Sequence, residues 1–320
     1  MACFRWSNFL EYFQSSTGKP VLRVNLDETS IPLSPRPRKG YVIFGVRGRR
    51  WVPVRGPGPS LSLRRSNVSL VAFLCDDPTI QLLLPQVFVS NEHVLSTADV
   101  SHLNSTCRRN VFVIRRKSSW VNASLVVEIL ELLARCLQEP LHTHRIVLHM
   151  DASRVHLHRS VLKACSRLGL FVLFVPASMT AWLQPLDVRV FALYKGWVLS
   201  ELERRRLAAP SGMMSRGEIV AVYCEGLRAV VDSKPWADAF EATGLRGQRR
   251  LSSDLKSRLG WEVPPVVPST LPSLSDFQAI FPRGAHIPFD ELLELVLRCS
   301  QPVRLVLPRH ARLPRAIVPA

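Results

Sequence analysis

Three aspartates close or follow apolar stretches and are the first candidates for chemistry. Asp27 ends the run VLRVNLD, Asp151 ends RIVLHMD, and Asp187 sits in LQPLD at the start of a helical stretch. Adjacent strand ends bring Asp27 and Asp151 together. A helix start after the following strand adds Asp187, where the helix dipole favours a negative charge. Three carboxylates facing one space repel one another, and hard cations relieve that repulsion. Mg²⁺ is held by one or two carboxylates, with waters and phosphate oxygens completing its shell. Two such ions about 3.5–4 Å apart activate a water on one side of a phosphodiester and stabilise the leaving oxygen on the other. Aspartates at strand ends are also common turn formers, so the spacing alone leaves both readings open.

Two further residue classes bear on chemistry. Five of the nine histidines lie between His142 and His158, but no cysteine or fourth ligand joins them, so a zinc site is not expected. Residues 36–65 hold nine Arg or Lys and no acid, among them Arg36, Arg38, Lys39, Arg47, Arg49 and Arg50. Arg108, Arg109, Arg115, Arg116 and Lys117 form a second basic group, and Arg204–Arg206 a third. Such runs track phosphates. A solvated face or a nuclear import signal is the plainer alternative.

Composition narrows the classes. The chain has 320 residues, 47% of them hydrophobic, which suffices for a sizeable core. Its 42 basic and 25 acidic residues give a net charge of +17, spread along the chain. That surplus suits a polyanion, nucleic acid before an anionic membrane. No apolar run approaches the ~20 residues of a membrane span. The opening MACFRWSNFLEYF lacks the uninterrupted apolar segment of a secretory signal. Seven cysteines, odd in number and never in C-x-x-C, argue for a reducing compartment.

The elements that must position these residues follow from periodicity. Val21–Asp27 alternates, with Leu22, Val24 and Leu26 on one face and Arg23, Asn25 and Asp27 on the other, which predicts a strand. Tyr41–Val46 and Asn67–Cys75 read as strands, and Thr79–Ser90 as a further β-like run after the Asp76-Asp77-Pro78 turn. A meander of three or four strands is therefore expected before residue 90. Helical spacing of Leu125, Val126, Ile129, Leu130 and Leu133 predicts a helix capped by Asn122 or Ser119. Arg145–Asp151 and Phe171–Pro176 read as buried strands, with a helix from Ser160 to Leu168 ended by Gly169. Pro185 opens a helix running to about Arg206. Strand, helix, strand in this order implies right-handed crossovers and parallel strands. Arg216–Val231 is a second helical stretch. Ten of the 24 prolines lie beyond residue 262, where the last twenty residues have four arginines and no acid.

The wording around the aspartates is more specific than their spacing. LDETS at 26–30, LHMDASRVH at 148–156 and VPASMTAWLQPLDVRVFALYKGWV at 175–198 resemble, in order, the three catalytic blocks of the DDE superfamily of endonucleases. The branch they resemble is the pogo/Tigger/jerky-like transposases, related to mariner elements. Between Asp151 and Asp187 lie 35 residues, in keeping with that family. The resemblance covers roughly residues 20–245. It implies an α/β, ribonuclease-H-like mixed sheet flanked by helices, with Asp27, Asp151 and Asp187 as catalytic and metal-binding residues for two Mg²⁺ or Mn²⁺ ions. His156 and Gln184, which fall within the matching blocks, are expected beside the ligands, and Lys195 on DNA with the basic run.

The reaction it implies is phosphodiester hydrolysis at a transposon end, then attack of the freed 3′-hydroxyl on target DNA. The expected partner is DNA, with a homodimer and a nuclear location implied. The expected organisation is a short lead at 1–20, a catalytic core at 21–206, a helical extension at 207–261 and a Pro-rich basic tail at 262–320. Two departures from the family stand out. The Asn and Pro that usually follow the second Asp are absent from Asp151-Ala152-Ser153-Arg154-Val155-His156. Only about twenty residues precede the first strand, so the core is expected without the family's helix-turn-helix modules. Both departures suit the alternative of a catalytically degenerate, transposase-derived DNA-binding protein.

Overall fold

The computed structural model describes residues 3, 4, 7, 19–33, 67–176, 178–209, 213–246 and 250–260. The expected strand Tyr41–Val46 and the basic residues Arg36 to Arg50 lie outside the described residues. Six strands form one sheet: β1 (Val21–Pro32), β2 (Asn67–Cys75), β3 (Gln86–Asn91), β4 (Val111–Arg116), β5 (Arg145–Asp151) and β6 (Leu170–Val175). Their spatial order is β4-β3-β2-β1-β5-β6. β2 runs antiparallel to both β1 and β3, and the remaining neighbours pair in parallel. This is the meander and parallel extension expected of a ribonuclease-H-like mixed sheet.

The parallel half needs crossovers, and helices supply them. Between β2 and β3 lies the single turn α1 (Pro78–Gln81), and between β3 and β4 lies α2 (Thr97–Thr106). α3 (Ala123–Cys136) and the short α4 (Gln138–Thr143) lead into β5, and α5 (Arg159–Arg167) into β6. α3 starts where its sequence says it should. Asn122 accepts from the Leu125 amide, and Leu125, Val126, Ile129, Leu130 and Leu133 are buried on one face, where it packs on α5. Gly169 takes φ 71°, the left-handed conformation that ends α5 without a Cβ clash.

After β6 come the turn α6 (Thr180–Leu183), a π-helical segment Leu186–Val190 and its continuation α7 (Phe191–Ala208). α8 (Arg216–Gly226) follows, continued by a second π-helical segment, Leu227–Val231, and then by α9 (Ala237–Ala242) and α10 (Ser253–Leu259). α8 packs on α7 so closely that a Cβ on Gly226 would lie 2.9 Å from Tyr194 and Val198. The Tyr223 hydroxyl donates to the Pro32 carbonyl at 2.7 Å, and the Tyr194 hydroxyl to the Tyr223 carbonyl at 2.9 Å. The segment after residue 206 thus shares one core with the sheet, and Tyr223, Phe240 and Leu255 are buried in it.

Two sequence expectations are corrected here. Thr79–Ser90 is not one extended run. Asp77 caps α1 by accepting from the Thr79 amide, Pro78 stands in its first turn, and Leu82 and Leu83 end up exposed. Only Gln86–Asn91 pairs as strand. In β1, the alternation did predict the strand but not its surroundings. Asn25 is fully buried and Asp27 is 8% exposed, because β1 is a central strand covered on both faces.

Candidate active site

β1 and β5 pair in parallel from Val21↔Arg145 to Asn25↔His149. Asp27 and Asp151 each lie two residues past that last pair, so they sit side by side, at the same edge and on the same face. The expectation that these carboxylates share one edge is met.

Asp187 is brought to them by two polar side chains. The Asn25 Oδ1 accepts from the Leu186 amide at 3.0 Å, while its Nδ2 donates to the carbonyls of His149 and Leu26. The Gln184 Nε2 donates to the Leu26 carbonyl at 3.1 Å. The backbone at 184–187 is thereby stapled to β1 beside Asp27. The Leu186 carbonyl accepts from the Phe191 amide, one residue further on than in an α-helix, so the turn carrying Asp187 is π-helical. Such bulges occur frequently at functional sites. Asn25 was missed in the sequence because alternation assigned it to the polar face.

The electrostatics are those of crowded acids. Asp27 has its pKa pushed well above the usual carboxylate range by burial first, then by the charges of Asp187, Glu28 and Asp151. Asp187, the most exposed of the three, is also raised, by desolvation and by Asp151. Lys195 and hydrogen bonds to Asp27 and Thr180 offset part of this. Asp27 and Asp187 therefore both resist ionisation in the fold. Asp151 behaves differently. Burial works against its ionisation, but the hydrogen bond and charge of His156 outweigh burial and hold its pKa low.

His156 is fully buried and lies between two acids: Nδ1 is 2.5 Å from Asp151 Oδ1 and Nε2 is 3.1 Å from Glu28 Oε1. Both partners are acceptors, so the ring carries both protons. Burial opposes that charge, but Glu28 and Asp151 override it and push the pKa up to about 10. Ser153, in the turn that lacks the Asn and Pro expected there, accepts from the His156 amide at 3.3 Å and contributes to the low pKa of Asp151. Glu28 is a residue the sequence reading missed; its one signal was adjacency to Asp27. His149, from the same histidine-rich stretch, plays a different part. Burial, with the Arg23 charge, lowers its pKa to about 3, so it is a neutral core residue against Phe240.

Among the described residues no three His, Cys, Asp or Glu side chains are placed to hold a metal ion together. Asp151 faces His156, and Asp27 faces Asp187. The residues nonetheless fit a hard divalent cation by type: the donors are carboxylate oxygens, and Asp27 and Asp187 are crowded acids with raised pKa values. Gln184 Oε1 is buried without a partner beside them, an acceptor suited to a metal-bound water.

These pKa directions give a pH dependence. Above about pH 4 the unfolded chain has released the protons that folded Asp27 and Asp187 retain, since the unperturbed value is 3.8. Folded-state proton excess makes stability fall as pH rises. His156 adds stability that is complete below 6.5 and lost as pH rises through about 10. His149, neutral in the fold, has the opposite effect, but only up to about 6.5, so metal-free protein is expected to melt higher at pH 6.5 than at pH 8. Asp27→Asn, which mimics the protonated acid, should melt no lower than the parent at pH 8 and should change less between the two. Melting curves in chelator at both pH values test this; a parent indifferent to pH contradicts it.

The basic residues divide. Lys195 stands two turns beyond Asp187 on α7, its Nζ 5.7 Å from the Phe191 ring centroid, and its charge reaches Asp187. The second and third basic groups are mostly engaged within the fold. Arg115 donates to the carbonyls of Leu95 and Glu92, Arg116 pairs with Glu128, Arg108 with Asp232, and Arg204 and Arg205 with Glu201. Arg109 and Lys117 are exposed.

Comparison with known proteins bears on the same residues. The family described as DDE superfamily endonuclease matches residues 79–224, a span that contains Asp151 and Asp187 but not Asp27. The solved Mos1 Strand Transfer Complex is similar with a TM-score of 0.42 and 16% identity, over 79% of this chain and 61% of that chain. The Mos1 mariner paired end complex with Mn is similar with a TM-score of 0.38 and 18% identity, over 77% and 63%. The chain thus spans about three fifths of the length of the solved chains it matches. No curated protein matches it significantly.

Proposed function

We propose that this chain, which carries a DDE superfamily endonuclease domain over residues 79–224, is the core of a metal-dependent DNA endonuclease and strand transferase of the transposase kind. The observation that carries the reading is the gathering of Asp27, midway along β1, Asp151, at the end of β5, and Asp187, on the π-helical turn stapled to β1, just past the point where β1 and β5 stop pairing. Asp27, Asp151 and Asp187 would hold two divalent ions, Mg²⁺ or Mn²⁺. Such ions supply activation of a water or a 3′-hydroxyl and stabilisation of the leaving oxygen. The protein's own part is placement. Asn25 and Gln184 fix the turn of Asp187, His156 holds Asp151 ionised, and Lys195 offers a cation to an incoming phosphate beside Asp187. In-line displacement at phosphorus needs no Ser, Cys or Tyr nucleophile.

DNA is the proposed partner, with nuclear location and a homodimer belonging to the same proposal. The organisation proposed is a lead at 1–20, a catalytic core at 21–206, a helical extension at 207–261 whose described helices pack into that same core, and a basic tail at 262–320. The acid-free stretch 36–65 would contact phosphates, so affinity should fall steeply with salt at a slope set by the phosphates neutralised. Replacing Arg47, Arg49 and Arg50 with Ala should flatten that slope, read by fluorescence anisotropy across a salt series; an unchanged slope assigns them to a solvated surface or an import signal.

One observation favours the rival, a degenerate DNA-binding protein: Asp151 is already neutralised by His156. End-labelled DNA, RNA and hybrid duplexes incubated with increasing Mg²⁺ or Mn²⁺ separate the readings. Metal-dependent cleavage of DNA supports the endonuclease, preferential cleavage of RNA or hybrid points to an RNA-processing enzyme of the same fold, and binding without cleavage supports the rival.

A further inference from the structure

We infer that Glu28 is a positioning residue, which through His156 fixes the orientation of the Asp151 carboxylate. The inference rests on the metal-site reading above for its purpose, and on geometry for its existence. The His156 ring is fully buried and spans two neighbouring strands just past their last paired residues, with Asp151 at Nδ1 and Glu28 at Nε2. Nδ1 also lies 3.2 Å from the Asp151 backbone carbonyl. The turn beneath the ring is wound tightly, with the Leu157 amide donating to the Ser153 carbonyl at 2.9 Å, so the ring has one seat.

Glu28 decides what the ring does in that seat. A buried N–H without an acceptor costs more than the bond it lost. Without Glu28, the Nε2 proton loses its acceptor in this arrangement, and the ring turns to find another. That turn breaks the alignment of the hydrogen bond that aims Asp151. Groups that orient a metal ligand through a hydrogen bond commonly influence metal affinity by about 10–100-fold.

The test compares wild type, Glu28→Ala and Glu28→Gln in the full chain. Gln keeps an oxygen that accepts from Nε2 but is a poor ligand for a hard cation. Two readouts are taken: the ring N–H resonances of His156, assigned by their loss in His156→Gln, and Mn²⁺ affinity by calorimetry. Glu28→Ala should lose the Nε2–H resonance, displace that of Nδ1–H, and weaken Mn²⁺ binding by about tenfold or more. Glu28→Gln should keep both resonances and stay within about threefold of wild-type affinity. Should Glu28→Ala fail to fold, Glu28→Asp, charged but one methylene shorter, is expected to show the same losses.

Unchanged ring resonances in Glu28→Ala overturn the inference. Equal loss of Mn²⁺ affinity in Ala and Gln with the ring intact overturns it too, and makes Glu28 a direct ligand. A wild type that binds no Mn²⁺ sinks the metal-site reading instead. In that case the ring resonances alone uphold or overturn the role of Glu28.

Discussion

Asp187→Ala is expected to lower metal-dependent DNA cleavage by about a thousandfold or more, the scale of several kcal/mol of transition-state charge stabilisation. Removing this carboxylate leaves Asp27 and Asp151 unable to hold two ions in the reacting geometry. The fold should not suffer. Asp187 is the most exposed of the three acids, and its loss relieves the crowding that raises Asp27. Metal-free stability should therefore hold or rise slightly. A ligand that binds only the folded state stabilises it by mass action, so the melting shift produced by millimolar Mn²⁺ should shrink in the variant. Cleavage assays and melts with and without Mn²⁺ read both effects. A shift retained in full would show that Asp187 is not a ligand.

The second large effect concerns the framework under the site. Asp76 is buried at the end of β2 and accepts from the Arg23 backbone amide at 3.0 Å and from its guanidinium at 3.1 Å. Arg23 Nε in turn donates to the Leu245 carbonyl at 2.9 Å, tying β1 to the segment after α9. Asp76→Ala leaves a mostly buried guanidinium without its carboxylate, a change that typically costs about 3–5 kcal/mol. The unfolding midpoint in urea should fall accordingly at an unchanged slope. A loss below about 1 kcal/mol would place this pair among surface ion pairs.

Much of the scaffold was legible because its strands are buried on both sides. Asn67–Cys75 and Arg145–Asp151 are short apolar runs with polar flanks, and both were bounded correctly. α3 was legible from its stripe and its Asn122 cap. β4 was missed: VFVIRR ends in two arginines, and their engagement with Glu92, Leu95 and Glu128 depends on residues distant in sequence. The leucines of Leu82–Leu84 were taken for strand because hydrophobicity does not reveal which side faces solvent.

The site divides in the same way. The three aspartates were found by wording and element order. Their supports were not, because Asn25 and Glu28 act only once a distant turn or ring is folded against them. Alternation assigned Asn25 to solvent, while in the fold it holds the backbone of Leu186. Nothing in a linear pattern marks the π-helical turn that carries Asp187.

The central claim is that Asp27, Asp151 and Asp187 together hold divalent cations. Calorimetric titration of Mn²⁺ into the chain saturated with duplex DNA, for wild type and for Asp27→Asn, Asp151→Asn and Asp187→Ala, tests it most directly. The account predicts about two ions bound to wild type and a loss of binding in each of the three variants. Full wild-type binding in any one of them, or no binding in wild type, would contradict it.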